Sequence, residues 1–174
     1  FPNGSKYGIA LEDISTGEFL IYDSGHSIED ELSRIEPKEV LYPASLKENI
    51  YFAGILGDYY LTTLDDWLFD FTEAYKTLLR HFRVSSLDGF GCEDMGTSLS
   101  AAGALIAYIE DTQKDSAQFR KITPLMQSSF MFLDSYTQRN LELIRNLKGG
   151  TEATLLSVMD ETLTPMGGRY LRSA

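Results

Sequence analysis

The chain has 174 residues, 43% of them apolar and 24% charged, which suits one folded domain or a domain with an appendage rather than a disordered segment. No run approaches the roughly 20 apolar residues that span a bilayer, no basic-then-apolar leader opens the chain, and Cys92 is alone, which excludes an intramolecular disulfide and a zinc cluster of cysteines. The formal charge of −11 is uneven: residues 1–119 hold 8 Lys/Arg against 21 Asp/Glu, a net −13, whereas residues 120–174 hold 7 against 5, a net +2.

A change of charge near residue 120 predicts a boundary there. The acidic first part is a poor partner for nucleic acid, whose affinity rests on cations that neutralise phosphates. A reducing, cytoplasmic setting is the default. Starting at Phe1 and ending at "GRYLRSA", the chain is expected to be a piece of something longer.

In chain order, "KYGIALEDI" and "GEFLIYD" are two strands joined by Ser15-Thr16-Gly17, a three-residue hairpin loop with Gly17 in the left-handed position. That loop pairs Glu18 with Ile14 and sets Asp13 across from Phe19. "SIEDELSRIE" is a helix with Ser27 as N-cap, acids in its first turn, and Ile28, Leu32 and Ile35 on one face. "KEVLYP" and Tyr59–Leu64 are strands. From Asp70 to Phe82 the apolar stripe Phe71, Tyr75, Leu78, Leu79, Phe82 predicts a helix.

Beyond the turn-rich "SSLDGFG", residues 98–114 form another helix, with Ala102, Leu105, Ile106 and Ile109 inward. Its small residues Ala101, Gly103 and Ala104 permit close packing. Strands alternating with helices imply an α/β sandwich with an open, mainly parallel sheet. After residue 120 "SFMFLD" is one short strand and the rest is helical: "YTQRNLELIRNL", "TLLSVMDETL", and a last helix opened by Thr164 and Pro165. Gly149-Gly150 is expected to end the helix before it.

The stretch "ALEDISTGEF", residues 10–19, admits two readings. Glu12, Asp13 and Glu18 could clamp Mg²⁺ for phosphate chemistry, with Asp13 as the ligand of a metal-dependent nuclease. Adjacent strand residues point to opposite faces, however, so the acids diverge. Asp13 shaping the turn by bonding the amides of Ser15 or Thr16 is the preferred reading. Elsewhere no chemistry assembles. His26 reads as an exposed loop residue, His81 as a helix-end cation, and Cys92 as a thiol whose acidic neighbours Glu93 and Asp94 raise its pKa. "GFG" and "GG" lack the spacing of a phosphate loop. "DDWLFDF", around the only Trp, is either a docking surface or core, and core is the commoner case for aromatics at a helix start. Catalytic, cofactor and metal residues are therefore expected to be none.

Five stretches, in order, resemble the bacterial MutS family of mismatch-recognition ATPases: "DISTGEF" at 13–19, "LDGFG" at 87–91, "AAGALIAYIEDTQK" at 101–114, "LDSYTQRNLEL" at 133–143, and "LLSVMDETLTPMGGRYLR" at 155–172. The chain departs from the family's usual Ala, Ala and Arg at Ser135, Tyr136 and Gln138. The resemblance implies a connector domain with a ribonuclease-H-like α/β fold over 1–119 and the start of an all-α core domain over 120–174. It also implies a non-catalytic segment coupling ATPase and DNA-binding ends. ATP and Mg²⁺ belong to the full-length family rather than to this stretch. The implied partners are a MutL-type protein at the connector, the rest of the chain with its dimer mate, and mismatched DNA through the full-length protein. Helix faces after residue 135 (Leu141, Ile144, Leu155, Val158, Met159) are expected to seek cover, against the connector or in a self-associated dimer.

Overall fold

The computed structural model describes residues 2–3, 6–14, 16–48, 59–112, 121–125, 131 and 133–173. It divides into two compact units, Phe1–Met131 and Phe132–Ala174.

The first unit begins with strands β1 (Pro2–Asn3), β2 (Lys6–Asp13) and β3 (Glu18–Ser24), each antiparallel to the next. Helix α1 (Ile28–Ile35) starts where Ser27 Oγ accepts the amide of Asp30 at 3.2 Å. It ends at Glu36, whose φ of 48° turns the chain out. Strands β4 (Glu39–Pro43) and β5 (Tyr60–Leu64) pair in parallel as a separate sheet. A 3-10 turn, Asp66–Phe69, leads into α2 (Phe71–Phe82), capped by Asp70, whose carboxylate accepts the amides of Thr72 and Glu73 at 2.9 and 3.3 Å. Helix α3 (Gly96–Thr112) follows, and β6 (Thr123–Pro124) adds to β3 in parallel. Proline at this short strand forfeits a ladder donor, so it sits at the sheet's edge.

The α/β class expected from the pattern is the one observed, while the strand pairs among the described residues divide evenly between parallel and antiparallel. Two glycines set how closely α3 packs. A Cβ on Gly8 of β2 would lie 2.2 Å from the Thr97 carbonyl, and one on Gly103 would lie 2.3 Å from Ala74 Cα of α2. Both are backbone collisions, so only glycine lets α3 approach β2 and α2 this closely. Asp23 of β3 then accepts the amide of Ser98 at 3.0 Å, satisfying a first-turn donor of α3. At the other end of the helix pair, Arg80 and His81 both reach Glu110 at 3.0 Å. The core of this unit is Phe19 and Ile21 from β3, Leu78 from α2, Leu99, Ala102, Ile106 and Ile109 from α3, with Leu87, Cys92 and Ile122 from the connections.

In the second unit α4 (Ser135–Asn140) is capped by Asp134, α5 (Leu155–Met159) by Thr154, and α6 (Pro165–Ser173) opens at Pro165. Thr164 Oγ1 accepts the amide of Gly167 at 3.1 Å, the start expected of Thr-Pro. Two helix expectations need shortening. The helix over 136–147 stops at Asn140. Glu142 takes a φ of 45°, and the carbonyls of Glu142 and Leu143 receive the amides of Leu155 and Leu156 at 3.1 and 2.9 Å. Those acceptors are given to a returning segment rather than to a helix. Likewise the helix over 154–163 covers only 155–159, after which Asp160 is extended and bonds Thr162. Gly149 is left-handed as its turn requires, but the turn is organised by Asn146 rather than by a helix end. The Asn146 carboxamide accepts the amides of Lys148 and Gly150 and donates to the Glu152 carbonyl. Half of "SFMFLD" lies outside the described residues, as does Ser15, and its described residues 131, 133 and 134 are in no strand.

Candidate functional site

The hairpin that joins β2 to β3 differs from expectation by one residue. Asp13 stands opposite Glu18, and Glu12 opposite Phe19, so the loop has four residues. The Asp13 main-chain carbonyl accepts the amides of Thr16 and Gly17 at 3.2 and 2.8 Å, and Thr16 Oγ1 accepts that of Glu18 at 3.3 Å. With Gly17 at φ 73° this is turn chemistry, carried by main-chain and threonine oxygens. The slip has one chemical consequence. Asp13 and Glu18 become cross-strand neighbours, both exposed, whereas Glu12 alone turns to the opposite face. Two like charges placed opposite each other repel.

Glu12 is half-buried, and its Oε1 is enclosed with no hydrogen-bond partner among the described residues. Burial, and secondarily the charge of Asp13, pushes its carboxyl up to about 7. Such a group could in principle act as a general acid or base. Among the described residues no group of three or more His, Cys, Asp or Glu could hold a metal ion.

The most enclosed carboxylate is one that the periodicity read only as a first-turn acid. Glu31 of α1 is fully buried. It accepts hydrogen bonds from Ser24 Oγ, from Tyr22 Oη at 2.7 Å and from Arg34 at 2.7 Å, and Arg34 also bonds Tyr22 Oη at 2.6 Å. Burial pushes this carboxyl up, but the two hydroxyls and the guanidinium together hold it below the ordinary glutamate range. The Tyr22 phenol is pushed well above its usual value by burial and by Glu31. Each polar group of the cluster is engaged by another of its members, so it clamps α1 onto β3 rather than offering a reacting group. Nothing in a single sequence marks it except the spacing of Glu31 and Arg34 on one helix face.

His26 is half-buried at the start of α1, with its amide on Ser24 Oγ. His81 is not simply a dipole partner, since it bridges to Glu110 and meets Phe82 edge-on. Cys92 is fully buried, with its thiol on the Leu87 carbonyl. Burial pushes it up first, and Glu93 and Asp88 add to that. An inert thiol is the result.

The "DDWLFDF" stretch divides. Phe69 is buried, while Trp67 and Phe71 on either side of it remain 60% and 47% exposed. The expectation that these aromatics are core holds for Phe69 alone. Trp67 and Phe69 lie two residues apart in a 3-10 turn of three residues per turn, so their rings do not share a face, and Phe71 already belongs to α2.

With the geometry in view, comparison with known proteins is decisive. The family model for MutS domain II matches residues 2–123, and that for MutS domain III matches residues 136–174. The chain belongs to the MutS family. It is 46% identical to the DNA mismatch repair protein MutS of Thermodesulfovibrio yellowstonii over 99% of this chain and 20% of that protein. With the proteins of the same description from Salinibacter ruber and Cytophaga hutchinsonii it shares 37% and 39% identity, over 97% and 95% of this chain and 19% of each relative. The chain thus spans about a fifth of the length of these MutS relatives.

The MutS-like stretches acquire physical roles in this light. "DISTGEF" is the β2–β3 turn. "LDGFG" is a 3-10 turn closed by Gly91 at φ 69°. The described part of "AAGALIAYIEDTQK", residues 101–112, lies in α3, whose Gly103 meets α2. "NLEL" is the chain reversal at Glu142, where the carboxylate also accepts the amide of Leu147 at 2.7 Å. All are backbone and packing devices. Nothing in the arrangement indicates a metal-dependent nuclease.

Proposed function

We propose that this chain is the non-catalytic connector and the beginning of the core of a mismatch repair protein, relaying rearrangement between an ATPase end and a DNA-binding end. The observation that supports this most is the match to MutS domains II and III in that chain order. In this reading the stretch carries no catalytic residue and needs no cofactor of its own, ATP and Mg²⁺ acting elsewhere in the full-length protein. Its acidic connector serves contact with a MutL-type protein rather than with phosphates. Its setting is the cytoplasm, where the chromosome is repaired. Among the described residues no helix is long and apolar enough to cross a membrane.

The test is a graft. This chain replaces the corresponding fifth of the Thermodesulfovibrio yellowstonii relative, and the chimera is scored for restored mismatch repair in a strain lacking its own MutS. Repair close to that of the unaltered relative is expected. Titration of the isolated chain with Mg²⁺ or Mn²⁺ on duplex DNA should yield no cleavage. Metal-dependent cleavage lost in Asp13→Asn would falsify the connector reading.

A further inference from the structure

Side-chain alternation gives β3 two faces. Phe19, Ile21 and Asp23 face α2 and α3, whereas Tyr22 and Ser24 face α1. No residue of α1 belongs to the core cluster, and Leu32 is its one buried apolar side chain. What fastens this helix is polar. Glu31 accepts from Ser24 Oγ, Tyr22 Oη and Arg34, whose guanidinium also stands 5.3 Å from the centre of the Tyr22 ring. Ser24 Oγ in turn accepts the His26 amide at 3.1 Å, so the chain entering α1 is tied to the same group.

Such a fastening differs from apolar burial in how it comes undone. With α1 closed, the Glu31 side chain is 1% exposed and that of Arg34 41%, so water reaches one member of the ion pair only. Once α1 lifts, both charges and both hydroxyls regain hydration, which offsets most of the bonds lost. The core has no such compensation, because its apolar side chains gain nothing from water. Helix α1 also has eight residues, too few to persist alone, so its release returns backbone entropy as well. At its exit Glu36 is held left-handed at φ 48°, which residues other than glycine seldom adopt, and release relieves that too.

We propose that α1 is a releasable flap, latched on β3 by the Ser24–Tyr22–Glu31–Arg34 cluster, that opens while the core stays closed. It opens in one step, because the four groups share their bonds and the loss of one weakens the rest. The flap thus has two discrete arrangements, which is what a relay requires. Its use there rests on the connector reading above: release of α1 is a step by which the connector passes rearrangement along.

The experiment is amide exchange, read by mass spectrometry, on the full-length protein that carries this chain. It compares residues 29–36 with residues 99–109 of α3. In the parent, 29–36 should exchange about a hundredfold or more faster than 99–109, each relative to its intrinsic rate. Ser24→Ala and Tyr22→Phe should each speed 29–36 by about tenfold and leave 99–109 unchanged. Adding ATP and Mg²⁺ should shift exchange over 29–36 and not over 99–109. Equal rates in the two segments of the parent overturn the flap and leave the connector reading standing. Variants that speed both segments alike, or neither, overturn the latch in the same way. A flap that opens but ignores ATP while other parts of 2–123 respond overturns its use in the relay. No response to ATP anywhere in 2–123 overturns the connector reading and that use together.

Discussion

The two units of this chain are held together by different forces. The first has ten mutually packed, almost fully buried core residues drawn from β3, α2, α3 and their connections. The second has Thr154 as its one buried residue among those described, while Val158 is 75% and Leu163 99% exposed. What the second unit has instead is local hydrogen bonding: three capped helix starts, the Asn146 loop, and the amides of Leu155 and Leu156 on the carbonyls of Glu142 and Leu143. Burial makes one unit cooperative. Caps and turns alone give the other its shape with little apolar burial behind it.

The comparison is broken most severely at Gly103. In Gly103→Ala the new methyl meets the Ala74 backbone, and α2 and α3 must separate. We expect a loss of about 3 kcal/mol, the upper end for overpacked cores, read as a large fall in the melting temperature of the first unit. Val158→Ser, on the exposed face of α5, should stay within about 0.5 kcal/mol of the parent. Comparable losses in both variants would mean that the second unit has a core after all.

A cap tests the other side. Thr154 Oγ1 accepts the Ser157 amide at 3.1 Å, and Ser157 Oγ returns the favour to the Thr154 amide at 2.9 Å. Thr154→Ala should cost about 1–2 kcal/mol. The loss should be seen as faster amide exchange over 155–159, with the first unit's melting unchanged. Exchange that rises throughout the chain would show that the loss is not confined to the α5 cap.

The smallest effect sharpens what burial means in the first unit. The Glu12 carboxyl is pushed up to about 7, above its unfolded value of 4.5, so between those limits the folded chain holds a proton that the unfolded chain has lost. Stability therefore falls as pH rises from about 4.5 to 7, and the ionised side chain is a burden above that. A shift of this size in a wholly buried group corresponds to over ~3 kcal/mol. Solvent reaching half of Glu12 reduces it to about 1 kcal/mol. Glu12→Gln should be more stable than the parent by about that amount at pH 8 and equal to it at pH 4, by thermal melts at both. An advantage of the same size at both values would show that ionisation is not its cause.

Much of this was legible from residues alone where the cause is local. Ser27 and the Thr164-Pro165 pair mark helix starts because a side-chain oxygen beside free amides works wherever the chain happens to be. The inward residues of α3 were legible because a 3.6-residue period survives any packing arrangement. The hairpin register was missed by one, since Gly17 fits a left-handed position in a loop of three or of four. The candidate site fared similarly. The divergence of Glu12 from Asp13 was visible in strand alternation, but the pairing of Asp13 with Glu18 was not.

By itself, then, the sequence determined the α/β class, the caps at Ser27 and Thr164, and the resemblance to MutS. These depend on contacts within a few residues or on motifs read in order. Only the tertiary structure decided that Glu31 is a buried clamp, that Asn140 ends a helix which the pattern would continue, and that Trp67 and Phe71 face outward while Phe69 does not. Each of those depends on a partner on another element or on the facing of a turn. No local propensity encodes which distant group will take a carboxylate, a carbonyl or a ring out of water.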